Sequence, residues 1–218
     1  GIKRSQGGKG AYFSPYRNPY LSDGPDGEYL TDRLGDEAIK LIDASKSKPF
    51  FMYLAFYAVH TPIEAKPEYV EYFKKKAHKM RLDEIQPFTK DWYKNADHKA
   101  WHWKERVVQS DAEYAALIYS MDENIGRVLD ALKKKGLDKN TIVCLLSDNG
   151  GLSTAEGSPT CNFPLRAGKG WLYEGGIREP FLIKYPKVVE AGSVCHNPVI
   201  GVDFYPTILE LAGLPLKP

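Results

Sequence analysis

The stretch YAALIYSMDENIGRVLDALKKKGLDKNTIVCLLSDNGG, Tyr114 to Gly151, changes its hydrophobic period partway along. Tyr114, Ile118, Met121, Ile125, Val128 and Leu132 recur at alternating spacings of four and three, the signature of an amphipathic helix. Lys133, Lys134 and Lys135 followed by Gly136 supply the cations and the permissive backbone that end a helix. Thr141–Leu146, TIVCLL, then has the unbroken apolar character of a strand buried on both faces, and it runs straight into the turn-forming SDNGG. Helix, strand and a polar turn at the strand end are the parts of an α/β domain.

The same grammar extends outward in both directions. Pro49 opens FFMYLAFYAV, Phe50–Val59, a second strand-type run that stops at His60-Thr61-Pro62, and FLIKY, Phe181–Tyr185, is a third. Thr31–Ser45 places Leu34, Ala38, Leu41 and Ile42 on one helical face, with Thr31 or Asp32 as cap. A last helix is expected over Asp203–Leu211, with Pro206 in its first turn and Gly213 closing it. The first thirty residues, rich in Gly, Pro, Tyr and Asp, read as irregular loop. Lys66–Arg106 turns to Lys, Trp, Tyr and His and reads as an insertion of short helices and loops over the sheet. No internal repeat competes with this organisation.

Composition excludes more than it selects. The 218 residues carry 30 Lys plus Arg against 28 Asp plus Glu, so no global field calls for nucleic acid or a membrane surface. No apolar run approaches the roughly 20 residues of a membrane span, and GIKRSQGGKG has no signal-peptide core. Cys144, Cys161 and Cys195 have no metal-binding spacing and leave the redox compartment and disulfide state open. His98 and His102 stand four apart, but no Glu follows the first and no third ligand is evident.

In open α/β sheets ligands gather beyond the carboxyl ends of strands. His60 ends the first run, and Asp148 and Asn149 end the second. Asp148 and Asn149 carry the hard oxygens that Ca2+ or Mg2+ prefers, and Asp-Asn-Gly-Gly is equally strong turn chemistry. Two residues cannot supply the roughly six to eight oxygens that Ca2+ takes. Before the third run, GKGWLYEGGIREP, Gly168–Pro180, encloses Lys169 in glycines, which fits a loop shaped around an anion. A phosphate-cradling P-loop is excluded, since Phe163 and Gly170 stand where it needs Gly and Ser or Thr. Glu174 and Arg178 read as a structural ion pair holding this loop. His60 suits an acid or an anion donor as well as a hydrogen-bonded strand end.

Taken together, AVHTP, the Tyr114–Gly151 stretch and Lys169-Gly170, Glu174-Gly175-Gly176, Arg178 and Pro180 resemble the sulfatase family of the alkaline phosphatase superfamily, from Tyr29 to Pro215. The resemblance implies an alkaline-phosphatase-like mixed sheet flanked by helices and hydrolysis of a sulfate ester on a small molecule or glycan. It gives Lys169 and His60 the sulfate oxygens and the leaving oxygen, and gives Asp148 and Asn149 a Ca2+ ion, with Mg2+ the alternative. Gly170, Glu174, Gly175, Gly176 and Arg178 support the loop.

The pattern also departs from the family. The C/S-x-P-x-R motif that yields the family's formylglycine nucleophile is absent, CNFPLR at Cys161–Arg166 having one residue too many and SPYR at Ser14–Arg17 one too few. Residues 1–218 are therefore expected to be the C-terminal-side portion of a sulfatase catalytic domain, a partial domain with residues 66–106 inserted. Such a piece is expected to be inactive alone and to lack N- and C-terminal parts of its parent. A phosphonate or phosphate ester hydrolase of the superfamily and a non-catalytic module binding sulfated glycans are the rival readings. The resemblance implies a periplasmic or secreted setting; the residues themselves name neither compartment nor ester.

Overall fold

The computed structural model describes residues 12–16, 18–45, 48–89, 93–94 and 102–216, with backbone alone at 93–94 and 102–103. His98 and Trp92 lie outside the described residues, and the His102 side chain does too. The long helix forms as its period dictates: α3, Ala112–Lys134, begins where the Asp111 carboxylate accepts the Tyr114 N–H at 3.0 Å and ends at Lys135 before Gly136 with φ 68°. Helix α1, Leu30–Ser45, and helix α2, Pro67–Lys79, both pack against it.

The buried face of α3 departs from the apolar stripe only in the middle of the helix. Tyr114 and Leu132 of the stripe are buried near its ends, but between them Leu117, Ser120 and Asn124 are buried while Ile118 is exposed and Ile125 and Val128 are only half-buried. The reason is the α1 contact, where Gly35 leaves no room for a Cβ beside the Asn124 amide. Asn124 Nδ2 donates to Asp32 Oδ1 at 2.9 Å and to the Ser120 carbonyl at 2.8 Å, and its oxygen accepts from Arg127. Asp32 thus serves this network and the Lys66 ammonium, 2.7 Å away, rather than capping α1, which starts before it at Leu30.

The irregular N-terminal loop is part of the core. Tyr12, Tyr16 and Tyr29 are buried with Leu30, Ala58 and Leu117, and Phe13 pairs with Tyr29 in an isolated β-bridge. A segment without hydrophobic period can be buried when each polar group finds a partner. The Tyr16 hydroxyl donates to Glu28 Oε2 at 2.9 Å and the Tyr29 hydroxyl to the Glu64 carbonyl at 3.0 Å.

Two antiparallel pairs make up the strands among the described residues: β1, Tyr93–Lys94, with β2, His102–Trp103, and β3, Val143–Leu146, with β4, Phe181–Lys184. The run Phe50–Val59 forms no strand, because no described segment pairs with it; Phe50–Tyr57 alternate between half-buried and exposed, with Phe51 and Tyr53 open to solvent, before Ala58 enters the core. Strands β3 and β4 are likewise not buried on both faces, Leu146 and Leu182 being exposed. The chain is a partial α/β domain, helices packed on one another beside a small sheet. The final helix α5, Gly201–Leu211, follows the short α4, Glu174–Ile177, and begins earlier than its sequence suggests, so Pro206 falls beyond the first turn. Gly213, at φ 69°, closes it. No helix among the described residues is long and apolar enough to cross a membrane, and the three cysteines are free thiols.

Candidate active site

Strand pairing brings the two polar loops together. Because β4 runs antiparallel to β3 with Leu146 opposite Phe181, the loop leaving β3 and the loop entering β4 share one end of the pair. The Ser147 N–H reaches the Pro180 carbonyl at 3.3 Å, Gly150 N–H the Gly176 carbonyl at 3.2 Å, and Lys169 N–H the Gly151 carbonyl at 3.1 Å. These contacts explain the glycines. A Cβ at Gly150 would overlap the Gly175 carbonyl, and one at Gly175 the Ala167 carbonyl, whereas Gly170 is required for its φ of 89°.

Two side chains that the sequence did not single out lock this arrangement. Asn162 Nδ2 spreads its two protons over the carbonyls of Gly151, Ala167 and Gly175 at 2.9, 2.8 and 3.2 Å. The buried Glu105 carboxylate accepts the Ala167 N–H at 2.7 Å. Ala167 is itself fully buried at φ 61°, a conformation that costs an L-residue and persists only when neighbours hold it. Neither residue belongs to a periodic pattern; Glu105 meets its partner 62 positions along the chain, and Asn162 meets three carbonyls that only the folded loops bring together.

His60 is held from the other side. Its N–H closes a turn to the Tyr57 carbonyl at 2.9 Å. The buried Tyr12 hydroxyl lies 2.7 Å from the Tyr57 carbonyl and 2.8 Å from the His60 carbonyl, sharing one proton between them. His60 Nδ1 stands 2.8 Å from the Thr61 carbonyl, which can only accept, so Nδ1 carries the proton. Nε2 is then the acceptor, and Lys169 Nζ lies 3.3 Å from it. The Thr61 hydroxyl donates to Glu156 Oε2 at 2.8 Å, tying the His60 turn to the loop after β3. A cation and a second nitrogen, separated by 109 positions in the chain, thus meet at the protein surface.

Asp148 and Asn149 sit where β3 ends, Asp148 exposed and Asn149 half-buried with its carbonyl accepting from the Ser147 hydroxyl at 2.9 Å. Glu179, brought alongside by the strand pair, has one carboxylate oxygen buried without a partner. Burial first, and the Asp148 carboxylate second, raise its affinity for a proton. The hard oxygens of Asp148 and Asn149 at this strand end are of the kind a divalent cation takes. Among the described residues, however, no three His, Cys, Asp or Glu side chains converge as a shell. Glu174 and Arg178 pair at 2.9 Å, both largely exposed, so the pair contributes at most a fraction of a kcal/mol, roughly 0.2–1. The loop's rigidity comes instead from the backbone contacts. Beside Lys169, the Trp171 indole donates to Thr154 at 2.9 Å and stacks on Tyr173 at 6.1 Å.

Comparison with known proteins places the fold in a family. The family model described as Sulfatase matches residues 4–214. A sulfatase of Formosa agariphila is 37% identical over 210 residues, covering 91% of this chain and 32% of that protein. Mouse arylsulfatase J is 34% identical over 166 residues, covering 76% of this chain and 22% of its own length. The crystal structure of Ps i-CgsB in complex with k-i-k-neocarrahexaose superposes with a TM-score of 0.69 at 34% identity, over 91% of this chain and 37% of that one. The chain thus spans between about a fifth and a third of the length of these curated relatives.

Proposed function

This chain belongs to the sulfatase family, and on that footing we propose that it contributes the anion-binding half of a site that hydrolyses sulfate esters to an alcohol and sulfate. The observation that carries the reading is the meeting of Lys169 Nζ and His60 Nε2 at 3.3 Å. An ammonium placed there offers charge-assisted hydrogen bonds to sulfate oxygens and steadies negative charge as the S–O bond breaks. When the Lys169 ammonium turns its hydrogen bonds to sulfate, His60 Nε2 is freed; with Nδ1–H already committed to Thr61, Nε2 takes a proton from solvent and the resulting imidazolium donates it to the leaving oxygen.

Asp148 and Asn149 supply part of a Ca2+ or Mg2+ shell, and the ion, when bound, polarises the sulfate. The remaining ligands and a formylglycine nucleophile belong, in this reading, to a segment outside residues 1–218, which form the C-terminal-side part of the catalytic domain and are inactive alone. A sulfated glycan is the favoured substrate class, supported by the oligosaccharide held by the similar Ps i-CgsB structure.

The test is release of sulfate from a sulfated oligosaccharide by the full-length protein. Lys169→Ala should lower kcat by roughly 10²–10³-fold. An unchanged rate sinks the assignment of Lys169, and faster turnover of a matched phosphate ester moves the reading to phosphoester hydrolysis.

A further inference from the structure

We propose that Asn162 and Glu105 are positioning residues that aim Lys169 at the bound anion; this rests on the sulfate-binding reading of Lys169. The aim of a lysine is set by its backbone, because its long stem has free rotamers that a single surface contact does not fix. Lys169 follows directly on Ala167-Gly168, and both backbone polar groups of Ala167 are gripped. The Ala167 N–H is held by Glu105 at 2.7 Å and the Ala167 carbonyl by Asn162 at 2.8 Å. Asn162 also holds the Gly151 carbonyl at 2.9 Å, the same oxygen that accepts the Lys169 N–H at 3.1 Å. One amide therefore joins the loop bearing Lys169 to the loop bearing Asp148 and Asn149.

Glu105 is anchored in its turn. The next residue, Arg106, donates its N–H to the Ser153 carbonyl at 2.8 Å, and the Glu105 carbonyl accepts the Thr89 N–H at 2.9 Å. The carboxylate thus reaches Ala167 from a backbone fixed on both sides, and it is only 7% exposed. Without this pair the left-handed Ala167 has no reason to persist, and Lys169 loses its direction toward His60. Neither side chain need touch the anion.

The experiment measures affinity for inorganic sulfate by calorimetry in the full-length, Ca2+-loaded protein, with thermal melting followed in parallel. Lys169→Ala, Asn162→Ala and Glu105→Ala should each weaken sulfate binding about tenfold at temperatures where the variant is folded. Asn162→Ala combined with Lys169→Ala should be no weaker than Lys169→Ala alone, because a misdirected lysine and a missing one forfeit the same contact. Glu105→Gln, which keeps an acceptor oxygen, should bind sulfate within about twofold of the parent. Should Asn162→Ala fail to fold, the Glu105 pair decides alone. If Asn162→Ala and Glu105→Ala lower the melting temperature but leave sulfate affinity intact while Lys169→Ala weakens it, both residues are structural and the proposal is overturned. If Glu105→Gln loses as much as Glu105→Ala, the acceptor role is overturned. If Lys169→Ala binds sulfate like the parent, the anion-site reading itself fails, and this inference with it.

Discussion

Gly150 and Gly175 meet backbone to backbone: a Cβ on Gly150 would overlap the carbonyl oxygen of Gly175. A carbonyl cannot rotate away as a side chain can, so Gly150→Ala must push apart the loops carrying Asp148 and Lys169. Overpacking of this kind costs roughly 1–3 kcal/mol. The expected result is a lower denaturant midpoint together with weakened sulfate binding; a variant as stable as the parent would show that the loops yield freely.

Two helix glycines should respond in opposite directions to the same change. Gly126 on α3 is exposed with open space around it, so Gly126→Ala should stabilise by up to about 1 kcal/mol through helix propensity. Gly35 on α1 faces the Asn124 amide, and there the overlap outweighs the same propensity gain. Gly35→Ala is expected to destabilise by about 1–3 kcal/mol. Thermal melting of both variants checks the sign of each.

Alkaline pH should unfold the protein through its tyrosine core. Burial, ahead of nearby charges, raises the phenol of Tyr29 from its ordinary 10.0 to about 12, and burial likewise raises Tyr12 and Tyr16. Phenols ionise more readily in the unfolded chain, so the stability they confer is complete below pH 10 and drains away as pH climbs toward about 12. Melting temperature recorded across that window should fall steeply, and Tyr29→Phe should flatten part of the slope. Phenolate absorbance titrating at the ordinary value in the folded protein would contradict this.

The 218-residue chain by itself should bind Ca2+ only weakly. Asp148 and Asn149 provide too few of the roughly six to eight oxygens the ion takes. Calorimetric titration is expected to give an affinity weaker than micromolar, lost on Asp148→Ala; micromolar or tighter binding would mean that residues 1–218 complete the shell on their own.

What was legible in the sequence follows from the range of the forces involved. The existence of α1 and α3 is written in a local period, and Val143–Leu146 and Phe181–Lys184 in short apolar runs. The period placed Tyr114 and Leu132 correctly in the buried face of α3, but not its middle, where a small residue on another helix, Gly35, admits the Asn124 amide. The strand expected over Phe50–Val59 does not form, because a ladder needs a second segment and none among the described residues pairs with it. The tyrosines of the N-terminal loop enter the core through long-range hydrogen bonds that leave no period. At the site, glycine spacing marked the loop around Lys169 and family resemblance paired it with His60. Asn162 and Glu105 gave no sign, because their roles exist only once distant backbones have met.

The pairing of β3 with β4 has a consequence for how such a chain can vary. The two loops are indexed by counting residue pairs from Leu146 and Phe181, so strand register works as a measuring rule between the Asp148 side and the Lys169 side. A slip of one residue would turn every strand side chain to the opposite face and carry Glu179 and Lys169 out of step with Asp148. Length can change in the excursion between the strands wherever Asn162 still closes it, whereas a single insertion within either four-residue strand would unmake the site at once.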